Sequence, residues 1–367
     1  MAQGNSITRI AKEVRGTILN IYKQICNNLI SMSELAMIKR LSVHLLVGLL
    51  LMSAFPITIP KVEAPPSLTI IPFVSGNIAP YIAYDNTNGR AWASKYASGG
   101  GDTTGGLWRW DRGNGTLKLF VIPSLMEDGS TIQATGIALD ASNNPWVVTT
   151  RKLYKFSPQD GVFTIIQNVA FGYEMVFDGT YIWIGYQDGV LRVNPSTQVV
   201  DTVVISNNKA FSFLSPFNSG VLVVERQTKK VYEVSSSLVV TQRMTGLNDP
   251  YGIGCSGITC YLAEHALGQV LEINTSTWAT ITRNLSINGT RPTDVVIYST
   301  YAIVLDLGTK FVRVFNIPSW TSFANVPLSF TPLYGSIDTL GRVYVGFYGS
   351  SGIIVIENLF ENPEPQP

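Results

Sequence analysis

Three carboxylates recur at one place in the pattern of the chain. Glu225 lies three residues after Leu222 in GVLVVE, Glu264 three after Tyr261 in TCYLAE, and Asp306 three after Ile303 in YAIVLD. His265, one of only two histidines, follows Glu264 directly. Oxygen donors at equivalent places on successive units, with an imidazole beside one of them, are a donor set for Ca2+ or Mg2+. The plainer reading is that these acids end strands on a solvated rim, where Asp and Glu ordinarily sit, and that His265 is a surface or hydrogen-bonded side chain. A second group surrounds the glycine-rich stretch Tyr96–Gly106, which contains Asp102 and is followed at once by Trp108 and Trp110. The stretch lacks the Lys-Ser/Thr ending and following helix of a phosphate loop, and its glycines suit a surface loop that carries binding on a rigid scaffold. Two residues apart, the tryptophans share one face of a strand. They offer a sugar-stacking surface or fill the core between packed sheets.

The elements that position these residues repeat along the chain. Second strands of successive units are GRAWAS, NPWVVT, YIWIGY, GVLVVE, TCYLAE, YAIVLD and RVYVGF, marked by Trp92, Trp146, Trp183, Leu222, Tyr261, Ile303 and Tyr344. The markers are 37 to 42 residues apart except for a first interval of 54, which the Tyr96–Gly106 insertion lengthens. Each is followed by a third strand (LWRWD, KLYKFS, VLRVN, KVYEVS, VLEIN, VRVFN, IIVIE) and further β-rich sequence. A period near forty residues marks a repeat architecture. A four-stranded unit cannot bury both faces alone, but units packed face to face about an axis bury one another. The expected fold is therefore all-β, a seven-bladed β-propeller of four-stranded blades over residues 65–360. The last unit has only three obvious strands, and the strand Ser67–Phe73 has no unit of its own. This N-terminal strand is expected to complete the seventh blade.

Only 14% of residues are charged, about half the usual share. Of 26 Lys/Arg and 25 Asp/Glu, seven and three fall before Pro65, so the body carries three more acids than bases. That leaves no basic field to hold phosphates and argues against nucleic acid as a partner. Residues 1–64 read as a leader: an amphipathic stretch with Ile7, Ile10, Val14, Ile18, Ile21 and Ile25 at helical spacing, then the apolar run Leu41–Phe55 after Lys39-Arg40. The run is either a signal peptide ending near Val62-Glu63-Ala64 or a retained anchor, and both place the body outside. Membrane contact is expected only through this leader, if it is not cleaved, and the Pro-rich tail 361–367 is expected to be loosely packed. Acceptor triplets at Asn114, Asn274, Asn284 and Asn288 agree with export to a glycosylating compartment. Cys255 and Cys260 are the only cysteines after the leader, and in an oxidising compartment they are expected to bridge a tight hairpin.

The unit PYGIGCSGITCYLAEHALGQVLEIN resembles the repeat of the virginiamycin B lyase (streptogramin lyase) propellers, whose blades run as Pro-x-Gly-Ile, a turn, Trp-Phe-x-Glu and a third strand ending in a polar residue. ATGIALDASNNPWVVTT and FGYEMVFDGTYIWIGY fit the same mould, and the likeness extends over most of residues 80–356. It implies the propeller fold and leaves activity open, because binding propellers share the repeat. The family's catalytic histidine would stand in the first strand, where this chain has Tyr251, and the other first strands carry Tyr81, Thr135, Gly172 and Thr293. The base for eliminating across a cyclic ester is thus missing, and Tyr251 becomes a ligand-binding candidate with Asp102, Trp108 and Trp110.

Two functions follow from these residues. The first is an exported, non-catalytic propeller that binds a protein or glycan at the cell surface or outside the cell and needs no cofactor. The second is a metal-dependent hydrolase or lyase resembling streptogramin lyase or gluconolactonase-type propellers, using Glu225, Glu264, Asp306 and His265 around Ca2+ or Mg2+.

Overall fold

In the computed structural model the second strands Arg90–Ala97, Pro145–Thr149, Ile182–Tyr186, Gly220–Glu225, Thr259–Glu264, Tyr301–Asp306 and Val343–Tyr348 lie at the centre of seven antiparallel sheets. The structure describes residues 66–72, 77–78, 81–97, 105–122, 133–206, 212–285, 287–348 and 352–360. The leader 1–64, Asp102 and the tail 361–367 lie outside the described residues. Six of the sheets have four strands, the sheet centred on Arg90–Ala97 gains a fifth in the short strand Asn77–Ile78, and among the described residues no helix occurs. The first strand of every blade touches the first strands of both neighbours, so the seven sheets close a ring. This is a seven-bladed β-propeller.

Packing follows from what the second strands carry. Each is apolar on both faces, because both are covered by a neighbouring blade. Trp92, Trp146, Trp183, Leu222, Tyr261, Ile303 and Tyr344 each belong to a different one of seven apolar clusters. Every cluster joins one blade to the next. All seven markers are at most 2% exposed.

Two of the buried tryptophans, Trp146 and Trp183, have their indole N–H groups satisfied through the turns that precede them. In blade three Asp178 accepts from Trp183 Nε1 at 2.7 Å and from the backbone N–H groups of Thr180 and Tyr181. In blade two Asp140 accepts from Trp146 Nε1 at 3.1 Å, and in blade seven Asp338 accepts from the Tyr344 hydroxyl at 3.0 Å. Blade one differs: Asp85 is taken up by Thr87 and Asn88, and Trp92 Nε1 is buried without a hydrogen-bond partner. Side chains of outer strands also reach across to the next blade. Lys155 donates to Pro195 O at 3.4 Å, Arg283 to Pro318 O at 3.0 Å, and Arg192 to Ser236 O.

The ring is closed by the N-terminal strand. Ser67–Pro72 pairs antiparallel with Gly352–Glu357 over six residues, from Ser67 opposite Glu357 to Pro72 opposite Gly352. Ile71 is the buried residue of this strand and packs beside Tyr344, Ile353 and Val355. The long first interval has two sources, not one. Besides the connection between Ala97 and Gly106, the connection from Val121 to Ala134 between blades one and two is longer in sequence than those between the other blades.

Candidate functional site

The three carboxylates singled out by spacing are buried, at 1% exposure for Glu225, 3% for Glu264 and 0% for Asp306, and not on a solvated rim. Each is consumed within its own blade. Glu225 accepts from the hydroxyls of Ser206 at 2.7 Å and Thr228 at 2.6 Å. Glu264 accepts from Asn248 N at 2.9 Å and Gln269 Nε2 at 2.6 Å. Asp306 accepts from Arg291 N at 2.8 Å and Arg313 Nε at 2.9 Å, and also from the Thr309 hydroxyl. The pattern is shared: the acid at the end of the second strand ties its own turn to the connection entering the blade. Among the described residues no three of His, Cys, Asp and Glu come within reach of one metal ion. The carboxylates therefore occupy equivalent positions without converging.

His265 and Tyr251 do meet. Their rings lie 4.6 Å apart, and His265 Nδ1 is 3.2 Å from Pro292 O, which makes Nδ1 the protonated nitrogen. Burial lowers the pKa of this imidazole and raises that of the Tyr251 phenol. Arg226 stands over the Tyr251 ring, 4.2 Å from its centroid, and pairs with Asp249 at 2.5 Å. Trp108 is core: it is 5% exposed and packs between blades seven and one, with half-buried Trp110 against the same cluster. Cys255 and Cys260 oppose each other in blade five and are bridged. Asn114, Asn274, Asn284 and Asn288 are all exposed.

A different constellation sits on the innermost strands. The first-strand residues opposite the position after each marker are Ile82, Ile137, Met175, Leu214, Ile253, Val295 and Gly335. The residues just before these are Tyr81, Gly136, Glu174, Phe213, Gly252, Asp294 and Tyr334, one from each blade and all on one circle. β-bulges after Ala134, Pro250, Pro292 and Pro332 set this register, so Tyr81 is equivalent to Gly252 and Asp294 rather than to Tyr251 and Thr293. Two glycines on the circle are required by close approach. A Cβ at Gly252 would stand 2.3 Å from Asp294 Oδ1, and one at Gly136 would stand 2.0 Å from Tyr173 O.

Glu174 in blade three and Asp294 in blade six face each other across a ring of seven. Between them on one side, Tyr81 and Tyr334 stack with centroids 4.1 Å apart, and Tyr81 donates to the Tyr334 hydroxyl at 3.1 Å. Asp294 accepts from Val295 N at 2.8 Å and Gly335 N at 2.9 Å, and Glu174 accepts from Leu214 N at 2.8 Å. Burial pushes the Asp294 carboxyl up to about 6, with the two backbone N–H groups holding it back. Glu174 is pushed well up, first by burial and then by the charge of Asp294. Below this circle the channel opens into a cavity of about 550 Å³ running along the first strands to Leu139, Phe177 and Ile337. The sequence did hold a signal for this pair. Glu174 stands just before and Asp294 within an otherwise apolar first strand, each nine residues before its blade's marker.

No family model matches the sequence, and no curated protein matches it. Solved structures do match in shape. A catalytically inactive virginiamycin B lyase from Staphylococcus aureus, solved with quinupristin, has a TM-score of 0.65 at 11% identity, covering 79% of this chain and 99% of that one. The chain shares the fold of the streptogramin lyases. A streptogramin B lyase structure gives a TM-score of 0.65 at 14% identity over 80% of this chain and 97% of that chain. The extracellular domain of a putative one-component system from B. thetaiotaomicron gives 0.60 at 15% identity, over 82% of this chain and 44% of that one. The WD40 repeats of RRP9 give 0.65 at 10% identity, over 79% of this chain and 96% of that one. At these identities the likeness is one of fold, and it spans enzymes and other propellers alike.

Proposed function

We propose that the protein is an exported propeller that binds a partner without transforming it, the partner being a protein or glycan at the cell surface or outside the cell. One observation carries this reading above the others. The acids spaced as a metal site are each engaged in their own turns, whereas the circle around Glu174 and Asp294 faces an open channel. Supporting it, the Cys255–Cys260 bridge fits an oxidising compartment, and the four Asn acceptors are exposed where glycans would attach. Solved propellers of this shape include an extracellular domain and WD40 repeats. No resident metal is needed.

Cell fractionation with thiol alkylation tests export: the protein is expected outside the cytosol with Cys255 and Cys260 protected. A cytosolic protein with both thiols reactive overturns it. Incubation with quinupristin, followed by chromatography for a ring-opened product, tests the absence of lyase chemistry. No product is expected, and a product lost in His265→Ala would establish the enzyme instead. Ca2+ or Mg2+ at millimolar concentration is expected to leave the melting temperature unchanged, whereas a rise abolished by Glu264→Gln would restore the metal site.

A further inference from the structure

We propose that the central channel binds an organic monocation, with an ammonium group held between Glu174 and Asp294 and an apolar body lying along the channel wall. The inference rests on reading the channel as the binding site and adds the class of ligand.

The argument starts from compensation of charge. Other buried acids of the structure meet a cation or several donors: Asp306 pairs with Arg313, Asp338 with Arg342, and Glu264 accepts from Asn248 and Gln269. Glu174 accepts from a single backbone N–H and Asp294 from two, neither meets a cation, and the lining of the channel includes both acids but no Lys, Arg or His. An ionised carboxylate in such a place is costly until a counter-charge arrives. Here the counter-charge has a route in, because the acids border a cavity of about 550 Å³, within the range of small-molecule sites.

The remaining features narrow the class. Burial and the Asp294 charge both raise Glu174, so the pair resists a second ionisation and favours a single negative charge. One positive charge balances it. A divalent metal finds too few donors, since among the described residues no third acid, His or Cys joins them. The walls next to the acids are Ile137, Ala138, Val176, Val296 and Ile337, which suit hydrocarbon. Tyr81 spends its proton on Tyr334, leaving the Tyr334 hydroxyl proton and both rings at the edge of the same site.

Calorimetric titration of the full-length protein at pH 7 with 2-phenylethylammonium tests this, using 2-phenylethanol and phenylacetate as neutral and anionic molecules of similar shape. The ammonium is expected to bind one to one, the alcohol about tenfold or more weaker, and phenylacetate not at all. Glu174→Gln keeps an oxygen for Leu214 N and is expected to weaken the ammonium about tenfold. Ala83→Leu narrows the channel away from the charges and is expected to abolish binding. Melting curves confirm that each variant is folded, and the wild-type charge series stands even if one is not. Equal binding of alcohol and ammonium, no saturation by the ammonium, unchanged affinity in folded Glu174→Gln, or stoichiometric displacement by Ca2+ overturns the proposal. Failure here, with the protein outside the cytosol and quinupristin intact, removes the ligand class and leaves the binding propeller standing. Ring opening of quinupristin would remove the binding reading itself.

Discussion

Trp183 has no exposure, yet its indole N–H is satisfied, because Asp178 closes the preceding turn and reaches it at 2.7 Å. Asp178→Ala orphans that donor and two backbone N–H groups of the turn. It is expected to lower unfolding free energy by about 2–4 kcal/mol in urea titrations. Asp85→Ala leaves no indole orphaned, since Trp92 already lacks a partner, and a smaller loss is expected. The channel acids act in the opposite sense. The native pKa of Asp294 is raised, so the folded state holds its proton over the window from about 4 to about 6, where the unfolded chain has released it. The group therefore weakens the fold as pH rises through that window, by about 3 kcal/mol at most. Glu174 is raised in the same direction and adds to the trend. Glu174→Gln is expected to flatten the decline of stability as pH rises above the ordinary carboxyl value of 4.5, measured by denaturant midpoints. An unchanged pH profile would show that the two carboxylates do not interact.

At the scale of the element, one position in the second strand sets how a blade joins its neighbours. Glu225, Glu264 and Asp306 fasten the incoming connection to the turn after the second strand, through Ser206, Asn248 and Arg291 respectively. Glu264→Gln keeps one acceptor and turns its amide toward the Gln269 amide. A loss of about 1–3 kcal/mol is expected in urea titrations. Gly252 is the tightest point of blade five, because Asp294 lies against it and a Cβ would stand 2.3 Å from Oδ1. Gly252→Ala is expected to displace Asp294, lowering the melting temperature and any affinity for the channel ligand together. Gly257, exposed in the hairpin turn of the same blade, has open space where a Cβ would stand, with no atom within 4 Å, but a positive φ of 56°. Gly257→Ala is therefore expected to cost only backbone strain, about 1 kcal/mol.

For the molecule as a whole, the ring closes by strand pairing between its two ends, and the latch carries one buried side chain, Ile71. Ile71→Asp is expected to open the seventh blade, seen as protease cleavage near Ser67–Pro72 and a melting transition that is lower and broader. A variant as resistant as the wild type would mean that the six paired residues hold without Ile71. The latch was legible because Ser67–Phe73 is a strand without a unit and the last unit lacks one. The seven markers were legible for a similar reason: a side chain that must fill the space between two blades is large and apolar in every repeat. The channel circle was not. Its position shifts against the marker by one or two residues from blade to blade, because the turns joining first and second strands differ in length. Spacing alone put Tyr81 beside Tyr251 and missed Glu174.

The amino-acid order by itself determined the repeat, the number of blades, the closing strand and the partner of Cys255, all of which rest on periodic burial or on short separation along the chain. Only the tertiary structure decided which acids face protein and which face space. Glu264 and Asp294 are both carboxylates on apolar strands, and their difference lies in what surrounds them: Gln269 and Asn248 in one case, an open channel and Glu174 across it in the other. Desolvation and charge pairing depend on neighbours up to half a ring away, and no local pattern records them.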